Sequence, residues 1–279
     1  MSPDAVGETM GAALDAQLAA LRPQYERDGA VCVRGAFSRE WLDLLADGIA
    51  ENMARPGPMA KDYTPAGKPG RFFGDYCNWR RIPQYREFLL HSPAAKIAGT
   101  LMGSARANLF HEHVLVKEPR TEEKTPWHHD QPYWTVDGTQ VCSLWLSLDP
   151  VPRATAVEYV AGSHRWGKWF TPRRFADAND HPAPGFVPVP DIEAERDRHS
   201  LLGWDLEPGD CVVFHALTLH GAPGNPQPTR RRAMASRWTG DDARFALRDG
   251  FMSPPPPPDA PPPGAPMDSD VFPVVWRAA

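Results

Sequence analysis

Cysteine is scarce in this chain. Four of its 279 residues, Cys32, Cys77, Cys142 and Cys211, lie far apart and form no CxxC pair. That argues against a zinc ribbon or a disulfide framework and for reduced thiols in a cytoplasmic protein; the four read as small buried hydrophobes. Long apolar runs are missing too, none approaching the roughly 18 residues that span a bilayer. Positive charge is not in excess: the formal net charge is -5, so the basic footprint of a nucleic-acid binder is absent. The segment MSPDAVGETMGAALDAQLAAL carries Asp4 and Glu8 where a secretory signal would be basic. It also lacks a continuous apolar stretch, and reads as part of the mature protein. No internal repeat is found. What remains is 42% hydrophobic and 23% charged, an ordinary globular composition with ample chain for a core.

Proline, by contrast, is plentiful, with 32 residues. The N-terminal part reads as helix, short strand, helix. LDAQLAALRPQYERDG has helical spacing and ends at Gly29, AVCVRGAF alternates as a strand, and Ser38 is a candidate N-cap for REWLDLLADGIAENMA. A further helical stretch is expected over YREFLLHSPAAKIAGTLMG, restarted at Pro93 and stopped at Gly103. From about residue 106 short apolar or alternating runs punctuated by Gly, Pro and Asp take over, predicting a sandwich or jelly-roll barrel. The whole chain is expected to form one catalytic domain. Its parts are a mostly helical layer over 1–105, a jelly-roll core over 106–245 with an insertion at about 168–200, and a proline-rich strap over 253–279. That strap is polyproline II or irregular in SPPPPPDAPPPGAP, then turns apolar in DVFPVVW, which is expected to return to the body.

The stretch TPWHHDQPYW, residues 125–134, sets two histidines and an aspartate among aromatics. On a strand, residues two apart share a face, so His128 and Asp130 point one way and His129 the other. An imidazole beside a carboxylate supplies two of three ligands of a 2-His-1-carboxylate iron site. His220, at a strand end before the turn GAPGN, is the candidate third. Arg231 follows in RRRAMASRW, and alternation groups it with Ala233 and Ala235, although a bulge would admit Arg230 or Arg232 instead. A guanidinium inside a barrel pairs bidentately with a carboxylate, and the distal carboxylate of 2-oxoglutarate needs such a partner.

With LVKEP, SLWLSLDP, AGSHRWG and HGAPGN added to these pieces, the sequence resembles the phytanoyl-CoA dioxygenase family of Fe(II)- and 2-oxoglutarate-dependent oxygenases. The resemblance runs from about residue 24 to 238. It implies a mainly β fold, a double-stranded β-helix of jelly-roll or cupin-like form with flanking N-terminal helices. It places Fe(II) on His128, Asp130 and His220, and the co-substrate 2-oxoglutarate on Arg231, with Trp145 lining its pocket and Lys117 helping to bind it. O2 is the second co-substrate, succinate and CO2 the released products, and hydroxylation of a small molecule the outcome. The presence of Asp130 favours hydroxylation over halogenation. Two departures stand out: RATAVEYVAGSH where relatives commonly carry Asn-Gly, and His129 where Gln is frequent.

Other readings remain beside this one. His129 is expected to pack outside the barrel and His215 to be structural. Trp127, Tyr133 and Trp134 read as wall and core, with Trp134 also a candidate substrate contact. Trp79 and Arg80, with Tyr76 and Asn78, are candidate pocket residues, the tryptophans for a cationic or apolar group and Arg80 for an anion. His111 and His113 in HEH could serve a cupin-like hydrolase or isomerase, and a non-catalytic jelly roll would bind metal or ligand without turnover. No partner other than a small molecule is expected, neither nucleic acid nor membrane, and the oligomeric state is not legible.

Overall fold

The computed structural model describes residues 3–173, 181–182 and 184–278, with side chains from residue 11 onward. In chain order come α1 (Pro3–Asp28), β1 (Ala30–Val33), α2 (Arg39–Ala54), β2 (Lys61–Asp62), β3 (Phe72–Tyr76), α3 (Pro83–His91) and α4 (Ala94–Met102). There follow β4 (Arg106–Lys117), β5 (Thr125–His128), β6 (Val136–Asp137), β7 (Val141–Ser147), β8 (Glu158–Val160), β9 (Trp169–Phe170) and β10 (Phe186–Val187). Last are β11 (Leu201–Leu202), β12 (Cys211–His215), β13 (His220–Ala222), β14 (Arg231–Thr239), β15 (Arg244–Phe245) and β16 (Val274–Arg277).

Local chemistry sets the helix ends. The chain leaves α1 through Gly29 at φ 80°, where an added Cβ would stand 2.4 Å from His164 Nδ1. α4 closes on Gly103 in the left-handed region, the usual C-terminal stop. Ser38 takes extended N-cap geometry before α2, but its side chain makes no capping hydrogen bond.

The strands form a larger sheet in the order β1-β12-β7-β14-β4-β3-β2, with β16 also paired to β4, and a smaller one, β11-β8-β13-β5. The two sheets are of jelly-roll type and mainly β as expected, but they do not close into a barrel. Alternation divides the larger sheet cleanly. Leu144, Leu146, Val213, Met234 and Trp238 join the core beneath the helices, with Leu45, Tyr85, Phe88 and Ile97. Trp145, Val212, Phe214, Ala233 and Ala235 face the other way, packing with Tyr159 of β8. Each large apolar side chain so buried contributes about 1.5–3 kcal/mol. The helices thus cover one face of the large sheet and leave its inner face to the site.

The C-terminal segment does return: Met267, Val271 and Phe272 are buried with Phe110, Tyr133 and Trp134, and β16 pairs with β4. In the expected insertion, β9 and β10 pair in parallel; its residues 174–180 and 183 lie outside the described residues. Cys32, Cys142 and Cys211 are buried as expected. Cys77 is not: it is exposed, at φ 62°, in the turn after β3.

Candidate metal and co-substrate site

Two neighbouring strands of the small sheet bring the histidines together. His220, the first residue of β13, is register partner to His128, the last of β5, and their ring centroids lie 4.2 Å apart. Asp130 arrives differently from the sequence expectation. β5 ends at His128, and Asp130 is a helical-φ,ψ residue opening a 3-10 turn, held by its N–H donating to Ala216 O at 2.9 Å. The shared face comes from this turn rather than from strand alternation. The same correction applies to His215. It closes β12, and a turn separates it from His220, so alternation does not relate them; its Nδ1 accepts from Leu217 N at 3.0 Å.

His128, Asp130 and His220 are buried and offer ligand atoms within 4.8 Å of one another, the one such group among the described residues. Asp130 Oδ1 lies 3.5 Å from His128 Nε2 and 3.9 Å from His220 Nε2. Each imidazole must donate from Nδ1, because its partner there is a carbonyl: Pro126 O at 2.8 Å for His128 and Thr218 O at 2.9 Å for His220. That fixes the tautomer and turns both Nε2 lone pairs toward Oδ1, the arrangement a metal requires. The other carboxylate oxygen, Oδ2, accepts from Ser143 Oγ at 2.8 Å and faces Arg237 Nη2 at 3.8 Å. Burial alone would raise the Asp130 pKa, but Arg237 and His220 outweigh it and hold the carboxyl well below its ordinary range. Burial, then the neighbouring His128, depresses His220 to about 3. The group therefore presents one carboxylate and a neutral His220, a donor set suited to divalent iron.

A cavity of about 440 Å³ opens on this group. At its buried end, Arg231 on β14 stands opposite Lys117 on β4. Lys117 Nζ donates to Glu123 O at 2.8 Å and Pro223 O at 2.9 Å, and lies 4.4 Å from the Phe72 ring centroid. Arg231 Nη1 donates to Thr155 O, a carbonyl of the segment that departs from the familiar Asn-Gly turn. Neither has a carboxylate among these partners. Like charges directly opposite in a ladder destabilise it, and burial depresses Arg231 to about 10. Burial and then the charge of Arg231 push Lys117 well below the usual lysine range. An anion between them would relieve both. Trp145, on the inner face of β7, lines the same cavity.

Trp134, His111 and His113 also line it, the histidines as inward residues of β4, but they are not in the three-residue metal group. His129 is buried and packs on Phe170, ring centroids 4.5 Å apart. Trp79 and Arg80 are placed elsewhere. Trp79 packs at the edge of the helical core, while Arg80 is exposed, 5.3 Å over the Trp79 ring, and donates to Asp270 O at 2.7 Å. The loop after β3 turns them away from the cavity, which only Tyr76 of that stretch lines. Asn78 is instead buried with Glu112, whose carboxylate its N–H meets.

Four cavity or near-site residues escaped the sequence reading. Arg237 had a signal: it continues the 231, 233, 235 alternation on β14. Ser143 is likewise two residues from Trp145. Lys61 and Arg173 carried none, because β2 and the loop after β9 reach the cavity only through tertiary packing.

Comparison with known proteins gives a consistent picture. The model of the family described as phytanoyl-CoA dioxygenase (PhyH) matches residues 25–233. A probable phytanoyl-CoA dioxygenase of Caenorhabditis elegans is 22% identical over 238 residues, 79% of this chain and 70% of that protein. The non-heme alpha ketoglutarate dependent epimerase SnoN from nogalamycin biosynthesis superposes with a TM-score of 0.73 at 23% identity, covering 94% of this chain and 100% of that one. Its structure is also known with Fe3+, alpha ketoglutarate and nogalamycin RO. The carbocyclase SnoK from the same biosynthesis gives 0.70 at 22% identity, covering 92% and 96%.

Proposed function

Because the chain belongs to the phytanoyl-CoA dioxygenase family, we propose that it is a non-haem Fe(II)- and 2-oxoglutarate-dependent oxygenase that hydroxylates a small organic molecule. The observation that carries this reading is the buried His128–Asp130–His220 group in one cavity with the facing cations Arg231 and Lys117. Iron with 2-oxoglutarate and O2 would supply the oxidising chemistry, with succinate and CO2 released. His128 and His220 would hold the metal through Nε2 and Asp130 through Oδ1, its Oδ2 being occupied by Ser143. Arg231, assisted by Lys117, would anchor the distal carboxylate, and Trp145 would wall the co-substrate. The buried setting keeps bulk water from the reacting atoms and strengthens each of these contacts.

The helical layer and the C-terminal segment both pack on the sheet that carries the site, so the whole chain is read as one catalytic domain. No described helix is long and apolar enough to cross a membrane. The free cysteines support the reading of a cytoplasmic enzyme with no nucleic-acid or membrane partner.

The test is anaerobic loading with Fe(II) and 2-oxoglutarate, followed through the weak visible band of a chelated keto acid. His128→Ala should abolish the band. Arg231→Ala should shift it to 2-oxoglutarate concentrations about 10- to 100-fold higher, the worth of one charge-assisted hydrogen-bonded contact. No band with iron demonstrably bound rules the reading out. Fold relatives are named an epimerase and a carbocyclase, so hydroxylation is checked separately, by the gain of one oxygen atom in the product mass.

A further inference from the structure

The cavity carries more positive charge than its proposed contents neutralise. Five lining side chains are cationic, Lys61, Lys117, Arg173, Arg231 and Arg237, against the single carboxylate of Asp130. Iron(II) and fully ionised 2-oxoglutarate bring equal and opposite charges, so loading both leaves the surplus in place. Arg231 and Lys117 are committed to the co-substrate and Arg237 faces Asp130. Lys61 and Arg173 are left.

These two are also the solvent-facing members of the set, Lys61 exposed on β2 and Arg173 half-buried beyond β9. Arg173 is tied to the site by one tyrosine. The Tyr133 hydroxyl donates to Arg173 O and accepts from Arg173 N, both at 2.7 Å. The Tyr133 ring meets the His128 imidazole edge-on, centroids 5.9 Å apart, and Phe251 flanks it at 6.2 Å. An aromatic path therefore leads from the rim cations to the metal group. A cleft of one charge sign with low-dielectric walls concentrates ligands of the opposite sign. About 440 Å³ lies in the range that holds one drug-sized ligand, and the co-substrate takes part of it. A whole acyl-coenzyme A does not fit inside.

We propose that the substrate is a compact organic acid, its apolar or aromatic body lying along Tyr133 and Trp134 and its carboxylate received at the rim by Arg173 and Lys61. The inference rests on the 2-oxoglutarate reading above. The test uses protein loaded anaerobically with Fe(II) and saturating 2-oxoglutarate, so that the Arg231 end is filled. A size-graded panel of aromatic and alicyclic monocarboxylic acids, each paired with its primary amide, is titrated by calorimetry. At least one acid should bind about tenfold or more tightly than its amide, as expected for a charge-assisted contact. That preference should shrink several-fold in Arg173→Gln, in Lys61→Gln, and at high salt. If no acid in the panel outbinds its amide, or the preference survives in both variants, the proposal is overturned. The visible band, recorded on the same samples, separates the two failures. A normal band without acid preference defeats the substrate class alone, whereas no band removes the oxygenase reading and this one with it.

Discussion

At the scale of the residue, the site depends on which atom of each side chain is left over. Asp130 spends Oδ2 on Ser143 and keeps Oδ1 for the histidine side. Ser143→Ala frees Oδ2 and lets the carboxylate rotate; losses of such supporting contacts typically cost 10–100-fold in metal affinity. Fe(II) titration should show a loss of about tenfold, with the fold intact by circular dichroism. On the outer face of β4, Glu112 is fully buried, its Oε2 without a hydrogen-bond partner. Burial is the main reason its carboxyl is pushed up from 4.5 to about 8. A folded-state pKa above the unfolded one gives stability that is complete below about 4.5 and lost as pH rises through about 8. Glu112→Gln keeps the acceptor for Asn78 N without the titration. Chemical denaturation should therefore show the wild type losing stability between pH 5 and about 8, and the variant staying flatter across the same window.

At the scale of the element, the C-terminal segment builds part of the site rather than trailing from it. Phe272 is 2% exposed and packs on Phe110, ring centroids 5.4 Å apart. Phe110 in turn meets Trp134 at 5.7 Å, a residue of the cavity wall. Phe272→Ala should cost about 3–5 kcal/mol, the usual range for emptying a buried aromatic site, measured as a lowered denaturation midpoint. It should also loosen the Trp134 wall, which tryptophan fluorescence would report. Such a role was half legible: the apolar residues of DVFPVVW require a surface, but not the one beside Trp134. The strand pattern from 106 onward was likewise readable from its alternation. The break after His128 was not, because a tight turn and a strand leave similar two-residue spacing in HHD.

At the scale of the whole molecule, the proposed ligands draw on both sheets. The metal group comes from the small sheet and the turn after it, while Arg231 and Lys117 come from the large one. A ligand that binds only the folded state stabilises it by about 2.7 kcal/mol at one hundred times its Kd. For a chain of this size that corresponds to roughly 5–10 °C in Tm. Fe(II) with 2-oxoglutarate, added anaerobically, should raise Tm by about that amount. A chelator should reverse the rise, and His128→Ala should not show it.

The sequence by itself determined the residue types and the local periods: helices first, short strands after, and a His-x-Asp pair with a distant His and Arg. Those follow from side-chain chemistry and spacing, which act over a few residues. Tertiary structure decided the rest. It turned the chain at Asp130, faced Lys117 with Arg231 across a ladder, sent Trp79 and Arg80 outward, and brought Lys61 and Arg173 to the cavity. Each joins segments far apart in the chain, and only packing and strand register, not spacing, specify which of them meet.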